Sequence, residues 1–354
     1  MKKLFVSALA LLTAGSLAMA GSAAATPTAV ASLDLQPTGT LYKEVLRPVN
    51  FSLKATVTPE PGATTMKPMV ELGLNVPNRF DLVANNKKTP VCTKITATDT
   101  NYPTSEAISR CPNSIVGDGT ADLFLAQQVG VLVTDSVLVA FNGGNDNQGN
   151  PLVIVHGYSA SLNTGVFIEA TLKNGEFTMS IPRLSADSSV PAFQLDIPGS
   201  MGKDPNYAQA ACPASPWESN ALITLANRDA GNVISNREQI STPPYIQACT
   251  GAAGKGKLKV TKVKAKGKVK ANKKGKFKVT VKNSGTATAK KVKLTGKGAA
   301  KGSAGVGNLA AGKTKTYTKK FKVKGKKGKK VTVKVQAKGS NTNKSIGKTK
   351  VKLK

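Results

Sequence analysis

The stretch Phe277-Lys278-Val279-Thr280-Val281-Lys282 decides the fold of the C-terminal part of this chain. Its apolar side chains alternate with lysine or threonine, which is the period-two pattern of a β-strand with one buried face. Because successive side chains of a strand point to opposite sides of its sheet, the stretch predicts an apolar inner face and a lysine outer face. The same alternation recurs before and after it, at residues 258–260, 292–294, 321–324, 331–335 and 351–353.

These segments amount to about seven strands within residues 258–354, which suits an immunoglobulin-like β-sandwich. Composition alone predicts a disordered tail instead, because a high net charge with few aromatic residues is typical of disorder. We give the alternation more weight, since a disordered tail has no reason to place an apolar residue at every second position. The Gly- and Ala-rich residues 251–257 are the expected linker to the preceding domain.

The charge of the chain is concentrated in this C-terminal domain. Residues 251–354 contain 35 lysines and no Arg, Asp or Glu, whereas the whole chain of 354 residues has 51 Lys and Arg. Residues 1–250 therefore hold 16 basic residues and all 19 acidic ones, a net charge of −3. Such an asymmetry predicts a polyanionic partner for the C-terminal domain.

Two motifs in the C-terminal domain are similar to those of a known domain family. In residues 279–289 a strand ends in Asn-Ser-Gly before a second strand, and residues 306–313 lead through Leu-Ala-Ala-Gly to a third. This order resembles bacterial cell-adhesion-related (CARDB-type) Ig-like domains, over roughly the last hundred residues of the chain. The resemblance implies an extracellular β-sandwich that serves as a spacer or adhesion module, without catalytic residues. The lysine density is unusual for that family and argues against a purely passive spacer.

Residues 28–250 show the pattern of short strands. Residues 51–57 alternate apolar and polar side chains, and residues 131–141 are apolar and β-branched like a buried strand. Asn174-Gly175 between two apolar runs predicts a hairpin with a type I′ turn, and residues 142–151 form a turn-rich loop. We therefore predict an all-β protein, with a β-sandwich or jelly-roll-like N-terminal domain. This domain resembles uncharacterised secreted bacterial β domains.

The first 20 residues are predicted to be a secretory signal peptide. Lys2 and Lys3 precede an apolar run over residues 4–17, and Ala18-Met19-Ala20 fits the small-x-small cleavage pattern. A membrane anchor is the weaker alternative, because the run is shorter than the roughly 20 residues that a spanning helix needs. We expect the mature chain to have no transmembrane segment and to be located at the cell surface or outside the cell.

Export makes the four cysteines informative, and all of them lie in the N-terminal domain: Cys92, Cys111, Cys212 and Cys249. An even number in an oxidising compartment predicts two disulfides, each contributing on the order of 3 kcal/mol. Three connectivities are possible, and we favour Cys92–Cys111 with Cys212–Cys249 because each pair closes a short loop. A zinc site is the alternative, but no C-x-x-C spacing supports it.

The sequence offers weak candidates for catalysis. His156 is the only histidine, and residues 157–161 fail the G-x-S-x-G pattern at the last position. Side chains of His156 and Ser159 would point to opposite faces of a strand, so we expect a histidine at a sheet surface. Asp118 and Asp122 could act as an acid–base pair or bind calcium, but their spacing matches no known site. We predict a non-enzymatic protein with no catalytic residues, metal or cofactor.

Lysine without arginine favours unspecific attraction to polyanions. Lysine binds as a point charge, whereas arginine supplies the bidentate geometry used to recognise phosphate and guanine. Few aromatic residues leave little base stacking for nucleic acid. We expect partners among anionic envelope polymers and acidic glycans, bound by outward residues that include Lys259, Lys278, Lys282, Lys293, Lys322 and Lys334. The alternatives are an extracellular hydrolase tethered by the basic domain and an exported, non-specific nucleic-acid binder.

Overall fold

The computed structural model describes residues 26–85, 88–184, 187–199, 207–213, 215–229 and 231–354. The predicted signal peptide lies outside the described residues. The described chain is almost entirely β-strand, so the prediction of an all-β protein is confirmed. Helical elements among the described residues include α1 (Thr104–Arg110) and a short 3-10 turn at Leu125–Gln127. Within these residues, no helix is long and apolar enough to cross a membrane.

The N-terminal domain consists of one antiparallel sheet of 14 strands. The strands are β1 (Thr28–Pro37), β2 (Arg47–Thr58), β3 (Met69–Asn75), β4 (Phe80–Leu82), β5 (Ile115–Phe124), β6 (Leu132–Asn145), β7 (Pro151–Ser159), β8 (Thr164–Lys173), β9 (Glu176–Ser180), β10 (Ser189–Ile197), β11 (Ala208–Ala210), β12 (Trp217–Arg228), β13 (Ile234–Ser241) and β14 (Tyr245–Gln247). The alternation in residues 51–57 is that of β2, which buries Phe51, Leu53, Ala55 and Val57.

This sheet curls until its two ends meet. The main order is β13-β12-β3-β9-β8-β7-β6-β5-β10-β2, with β1 on β2 and β14 on β12. The ends are joined by Gln247, whose Oε1 accepts from Leu35 N at 2.9 Å while its Nε2 donates to Leu35 O at 3.1 Å. The curled sheet therefore has two layers that share one apolar core, as a β-sandwich does.

Two turns at strand ends show how local sequence sets the topology. Asn174 and Gly175 join β8 to β9 with φ of 52° and 85°, so the predicted hairpin is confirmed. The predicted loop over residues 142–151 begins later than expected, because β6 continues to Asn145. Asn142 is buried there, and its Nδ2 donates to Ala84 O and Thr89 O at 2.9 and 2.7 Å. A buried amide with these partners holds the strand end in place.

The C-terminal domain is a sandwich of two four-stranded antiparallel sheets, as predicted. Its strands are β15 (Leu258–Ala265), β16 (Lys274–Asn283), β17 (Ala289–Gly298), β18 (Ala300–Lys301), β19 (Ser303–Leu309), β20 (Thr314–Val323), β21 (Lys330–Lys338) and β22 (Ser345–Lys352). The sheets have the orders β15-β16-β20-β18 and β19-β17-β21-β22. Phe277, Val279, Val281, Phe321 and Val333 are fully buried between them, in a core separate from that of the N-terminal domain.

The predicted linker makes hydrogen bonds to both domains. Ala252 N donates to Leu41 O at 2.9 Å, and Thr286 N donates to the carbonyl of Lys255 at 3.0 Å. A Cβ on Gly254 would lie 2.2 Å from Thr286 O, so the chain can pass here only with glycine. The domain boundaries at residues 28, 250 and 258 stay predictions.

Candidate anion-binding surface

All six lysines predicted to face outward are exposed. Lys259, Lys278, Lys282 and Lys322 lie on β15, β16 and β20, whereas Lys293 and Lys334 lie on β17 and β21 of the other sheet. Since the outer faces of two packed sheets point away from each other, the structure does not bring the six together. It divides them between two opposite lysine faces.

Face A is the outer face of β15, β16 and β20. Its lysines are Lys259, Lys262, Lys264, Lys274, Lys276, Lys278, Lys282, Lys320 and Lys322. Several of them stand directly opposite one another, in the pairs Lys259–Lys282, Lys264–Lys278, Lys276–Lys320 and Lys274–Lys322. Like charges directly opposite on adjacent strands are destabilising, so the face stores repulsion that an external anion would relieve.

Face A contains a depression of about 330 Å³ that is lined by lysine and threonine side chains. Its residues are Lys262, Lys264, Lys278, Thr280 and Thr316, and the two threonine Oγ1 atoms are 2.9 Å apart. The short threonines lie between longer lysines, so the surface is concave where hydrogen-bond donors and positive charge coincide. This combination is suited to a carboxylate, sulfate or phosphate group.

Sequence reasoning missed Lys262 and Lys264 as members of this site. The register between β15 and β16 shifts between Val260 and Lys262, and this bulge leaves Thr261 and Lys262 both exposed. Strict alternation from Val260 would instead place residue 262 in the core. The lysine itself was the available signal, because a lysine without a partner is very rarely buried.

Face B is the outer face of β17, β21 and β22. Its lysines are Lys293, Lys297, Lys330, Lys334, Lys338, Lys348, Lys350 and Lys352. Lys334 has a lysine directly opposite on each side, Lys297 on β17 and Lys348 on β22. Face B therefore also presents a continuous patch of like charge.

Comparison with known families identifies the domain that carries these faces. Residues 255–345 match the CARDB family. Comparison with curated proteins found no match. The expected resemblance of the C-terminal domain, called the CARDB domain below, is thus confirmed. The matched residues contain all lysines of face A and the face B lysines on β17 and β21.

Two solved structures are among those to which this chain is similar. Red sea bream transglutaminase is 10% identical at a TM-score of 0.23, covering 92% of this chain and 31% of that protein. The T6 backbone pilin of Streptococcus pyogenes serotype M6 is 8% identical at a TM-score of 0.26, covering 92% and 52%. This chain thus spans about a third and about half of their lengths, and at such TM-scores neither likeness supports an argument.

The charges of the CARDB domain have almost no internal compensation. The ion pairs among the described residues, such as Lys67–Glu238 and Arg110–Asp99, lie within the N-terminal domain. The carboxylate of Glu44 reaches the CARDB domain, where its Oε2 accepts from Thr288 N at 2.7 Å and from Thr288 Oγ1 at 2.5 Å. These hydrogen bonds lower the pKa of Glu44. Anions from outside the chain must compensate the remaining lysines.

Both favoured disulfides are present in the N-terminal domain. Cys92 is bonded to Cys111 with Cα atoms 5.6 Å apart, and Cys212 to Cys249 with Cα atoms 5.8 Å apart. The first bridge holds α1 and its flanking loops over the outer face of β6 and β7. The apolar side chains between them, including Phe141, form a second, smaller hydrophobic core. The disulfides are compatible with an extracellular location.

His156 belongs to this small second core. It lies on the outer face of β7 but is fully buried, so the expectation of a histidine at an open sheet surface is wrong, because the disulfide-bridged segment covers it. Its ring stacks on Tyr102 at 4.6 Å between centroids, and its Nε2 is 3.0 Å from Thr100 O. Burial lowers the pKa of His156. Ser159 is on the inner face, where its Oγ donates to Asp135 Oδ1 at 2.7 Å.

The two aspartates on β5 also remain apart. Asp118 and Asp122 both lie on the outer face of the sheet, and four residues of extended strand span roughly 13 Å. Paired carboxylates of glycoside hydrolases are closer, at about 5–9.5 Å. Asp118 instead stands opposite Asp196 on an exposed face, which is unlike a catalytic cleft.

Proposed function

We propose that this protein is a non-enzymatic adhesion-type protein of the cell exterior, whose CARDB domain binds anionic envelope polymers or acidic glycans through lysine faces A and B. The observation that carries the proposal is the pair of opposite lysine faces in a domain without Asp or Glu. The CARDB match and the disulfides support the coarser part of it, an adhesion-type role outside the cell.

The arrangement suits a polymer better than a small anion. Outward lysines on one strand are roughly 6.6–6.8 Å apart, and neighbouring strands add further rows at about 4.8 Å. A polymer with repeated negative groups contacts many of these lysines and releases the condensed counterions, so weak contacts add up. Because the lysines are point charges, no particular sugar or base is selected.

The positions of the candidate catalytic residues favour a role without catalysis. His156 is directed to the outer face of β7 and Ser159 to the inner face, so the two cannot form a nucleophile–base pair. Asp118 and Asp122 line an open face of the sheet. The N-terminal domain is therefore proposed to act as a disulfide-braced binding or structural module.

The test is a salt titration of the binding of the full chain to immobilised heparin and to double-stranded DNA. We expect the logarithm of the binding constant to fall linearly with the logarithm of salt concentration. Replacing Lys262, Lys264 and Lys278 with Gln should reduce the slope by roughly 0.7–0.9 for each contact removed. The matched control replaces three exposed lysines of the N-terminal domain with Gln and should leave the slope unchanged: Lys54, Lys94 and Lys173.

Two results would contradict the proposal. Binding that does not change between low and high salt would exclude counterion release as the driving force. A strong preference for DNA over heparin, compared at equal charge, would instead identify a nucleic-acid binder. Equal competition by the two polymers supports unspecific polyanion binding.

A further inference from the structure

The two lysine faces of the CARDB domain are equally well developed and point in opposite directions. Every lysine assigned above to face A or face B is exposed in the full chain. The buried core, with Phe277 on one sheet and Val333 on the other, lies between the two faces. Neither face contains an acidic side chain, because residues 251–354 have no Asp or Glu. Each face is therefore a complete cationic surface of its own.

The N-terminal domain leaves both faces open. It reaches the CARDB domain through Glu44, whose Oε2 accepts from Thr288 N at 2.7 Å. Thr288 lies in the loop between β16 and β17, at one end of the sandwich and not on the outer face of either sheet. A polymer can therefore approach the domain from both sides at once.

Each face is large enough to hold a polymer segment by itself. On face A the lysines from Lys274 to Lys282 extend along β16 for roughly 27 Å, and on face B those from Lys330 to Lys338 extend equally far along β21. Lysines on the strands to either side widen each face to three rows. A polyanion on face A leaves the repulsion around Lys334 on face B uncompensated. A second polyanion is therefore still favoured on face B.

The shape of the domain disfavours one polymer that binds both faces. Packed sheets lie about 10 Å apart, so such a polymer would have to reverse its direction around an edge of the sandwich. At one edge β19 (Ser303–Leu309) has no charged side chain to guide it. At the other edge β15 adjoins β22, where Val260 N donates to Ser345 Oγ at 2.9 Å. A stiff polymer such as double-stranded DNA, with a persistence length of about 50 nm, cannot make that turn.

We propose that the CARDB domain cross-links anionic polymers, with one polymer on face A and a second polymer on face B. This inference rests on the proposed function, because it requires each face to bind polyanions. It adds the number of polymers that one domain holds. A single copy of the chain joins two polymers and needs no second copy to do so.

The experiment mixes the full chain with heparin-coated beads and measures two quantities, the protein retained and the aggregation of the beads by light scattering. We expect aggregation to rise with protein concentration and to fall again at excess protein, because each heparin then carries its own protein molecules. Beads that retain no protein would contradict the proposed function. Beads that retain protein without aggregating would overturn the cross-linking alone.

Two variants of equal net charge separate cross-linking from simple neutralisation of the beads. The one-face variant loses six lysines of face B, whereas the split variant loses three lysines from each face. At equal amounts of retained protein, we expect the one-face variant to aggregate the beads at least about ten-fold less, and the split variant to stay within about three-fold of the unchanged protein. The one-face variant combines Lys293→Gln, Lys297→Gln, Lys334→Gln, Lys338→Gln, Lys348→Gln and Lys350→Gln, and the split variant combines Lys259→Gln, Lys282→Gln, Lys322→Gln, Lys293→Gln, Lys334→Gln and Lys350→Gln.

Stiff DNA duplexes give a second readout that excludes wrapping. Duplexes of about 12 base pairs, roughly 40 Å long, are labelled with either a donor or an acceptor dye. We expect energy transfer between them on addition of the full chain, and two duplexes bound per protein when duplex is in excess. The one-face variant should bind one duplex and give no transfer. Cross-linking by one domain is overturned if the unchanged protein binds one duplex at saturation, or if the one-face variant bridges duplexes or beads as well as the split variant.

Discussion

The two domains fix a strand end with the same device but manage their charges differently. Asn142 in the N-terminal domain and Asn283 in the CARDB domain are both fully buried, and each Nδ2 donates to two backbone carbonyls. Each Oδ1 accepts from a glycine N–H two residues later, Gly144 and Gly285. The Asn-x-Gly motif therefore has the same structural role in both domains.

The two domains differ in how their charges are compensated. The N-terminal domain pairs acids with bases and is cross-linked by two disulfides. The CARDB domain has neither, and it holds lysine against lysine across its strands. Its apolar core must therefore outweigh an electrostatic repulsion that the N-terminal domain does not have. This contrast suggests that redox conditions control the stability of one domain and ionic conditions that of the other.

The largest expected effect is the loss of a disulfide. Replacing both cysteines of a bridge with Ala should lower the free energy of unfolding of the N-terminal domain by about 3 kcal/mol for Cys92–Cys111 and about 4 kcal/mol for Cys212–Cys249. The second bridge closes the longer loop, with a sequence separation of 37 against 19. Urea denaturation followed by the fluorescence of Trp217, the only tryptophan, measures this domain alone. If the unfolding transition of the CARDB domain, followed by circular dichroism, shifts as much, the expected difference between the two domains is wrong.

A smaller effect on stability is expected in the CARDB domain, from salt and from polyanions. Salt should raise the unfolding temperature of the CARDB domain, because it screens repulsion between paired lysines such as Lys276–Lys320. A polyanion at a hundred times its dissociation constant should add about 2.7 kcal/mol if it binds only the folded form. Thermal scans by circular dichroism and by Trp217 fluorescence separate the two transitions. An equal rise in the unfolding temperature of the N-terminal domain would contradict the expected difference between the two domains.

The sequence predicts those features of the two domains that depend on local contacts, and it does not predict those that depend on distant ones. Alternation is a local property, and it located β16 and β20 because one lysine face and one apolar face repeat along each strand. The burial of Asn142 depends on Ala84 and Thr89, more than 50 residues away, so the sequence predicted only a loop there. The curling of the 14-stranded sheet depends likewise on distant pairings.

Lysine faces A and B depend on the range of the contacts in the same way. Lysines at every second residue of a strand predict a cationic face from the order of residues alone. The bulge that turns Lys262 outward required the register of β15 against β16.

The smallest expected effect is a pH dependence restricted to the N-terminal domain. Burial lowers the pKa of His156 below its ordinary value of 6.5, and Arg110 on the opposite face of Tyr102, at 3.7 Å from that ring, adds to the shift. As pH falls below about 6.5, His156 is protonated in the unfolded chain but stays neutral in the folded domain. The free energy of unfolding therefore decreases with acidification. The slope cannot exceed about 1.4 kcal/mol per pH unit for one group.

His156→Gln should remove this slope between neutral pH and about pH 5, as measured by urea denaturation with Trp217 fluorescence at each pH. The carboxylates of Asp135, Asp146 and Glu44 have lowered pKa values, so their contributions are lost only at lower pH. The CARDB domain has no His, Asp or Glu, so its stability should stay constant over the same range and provides an internal control. If the variant keeps the slope, another group titrates there and His156 is not the source of the pH dependence.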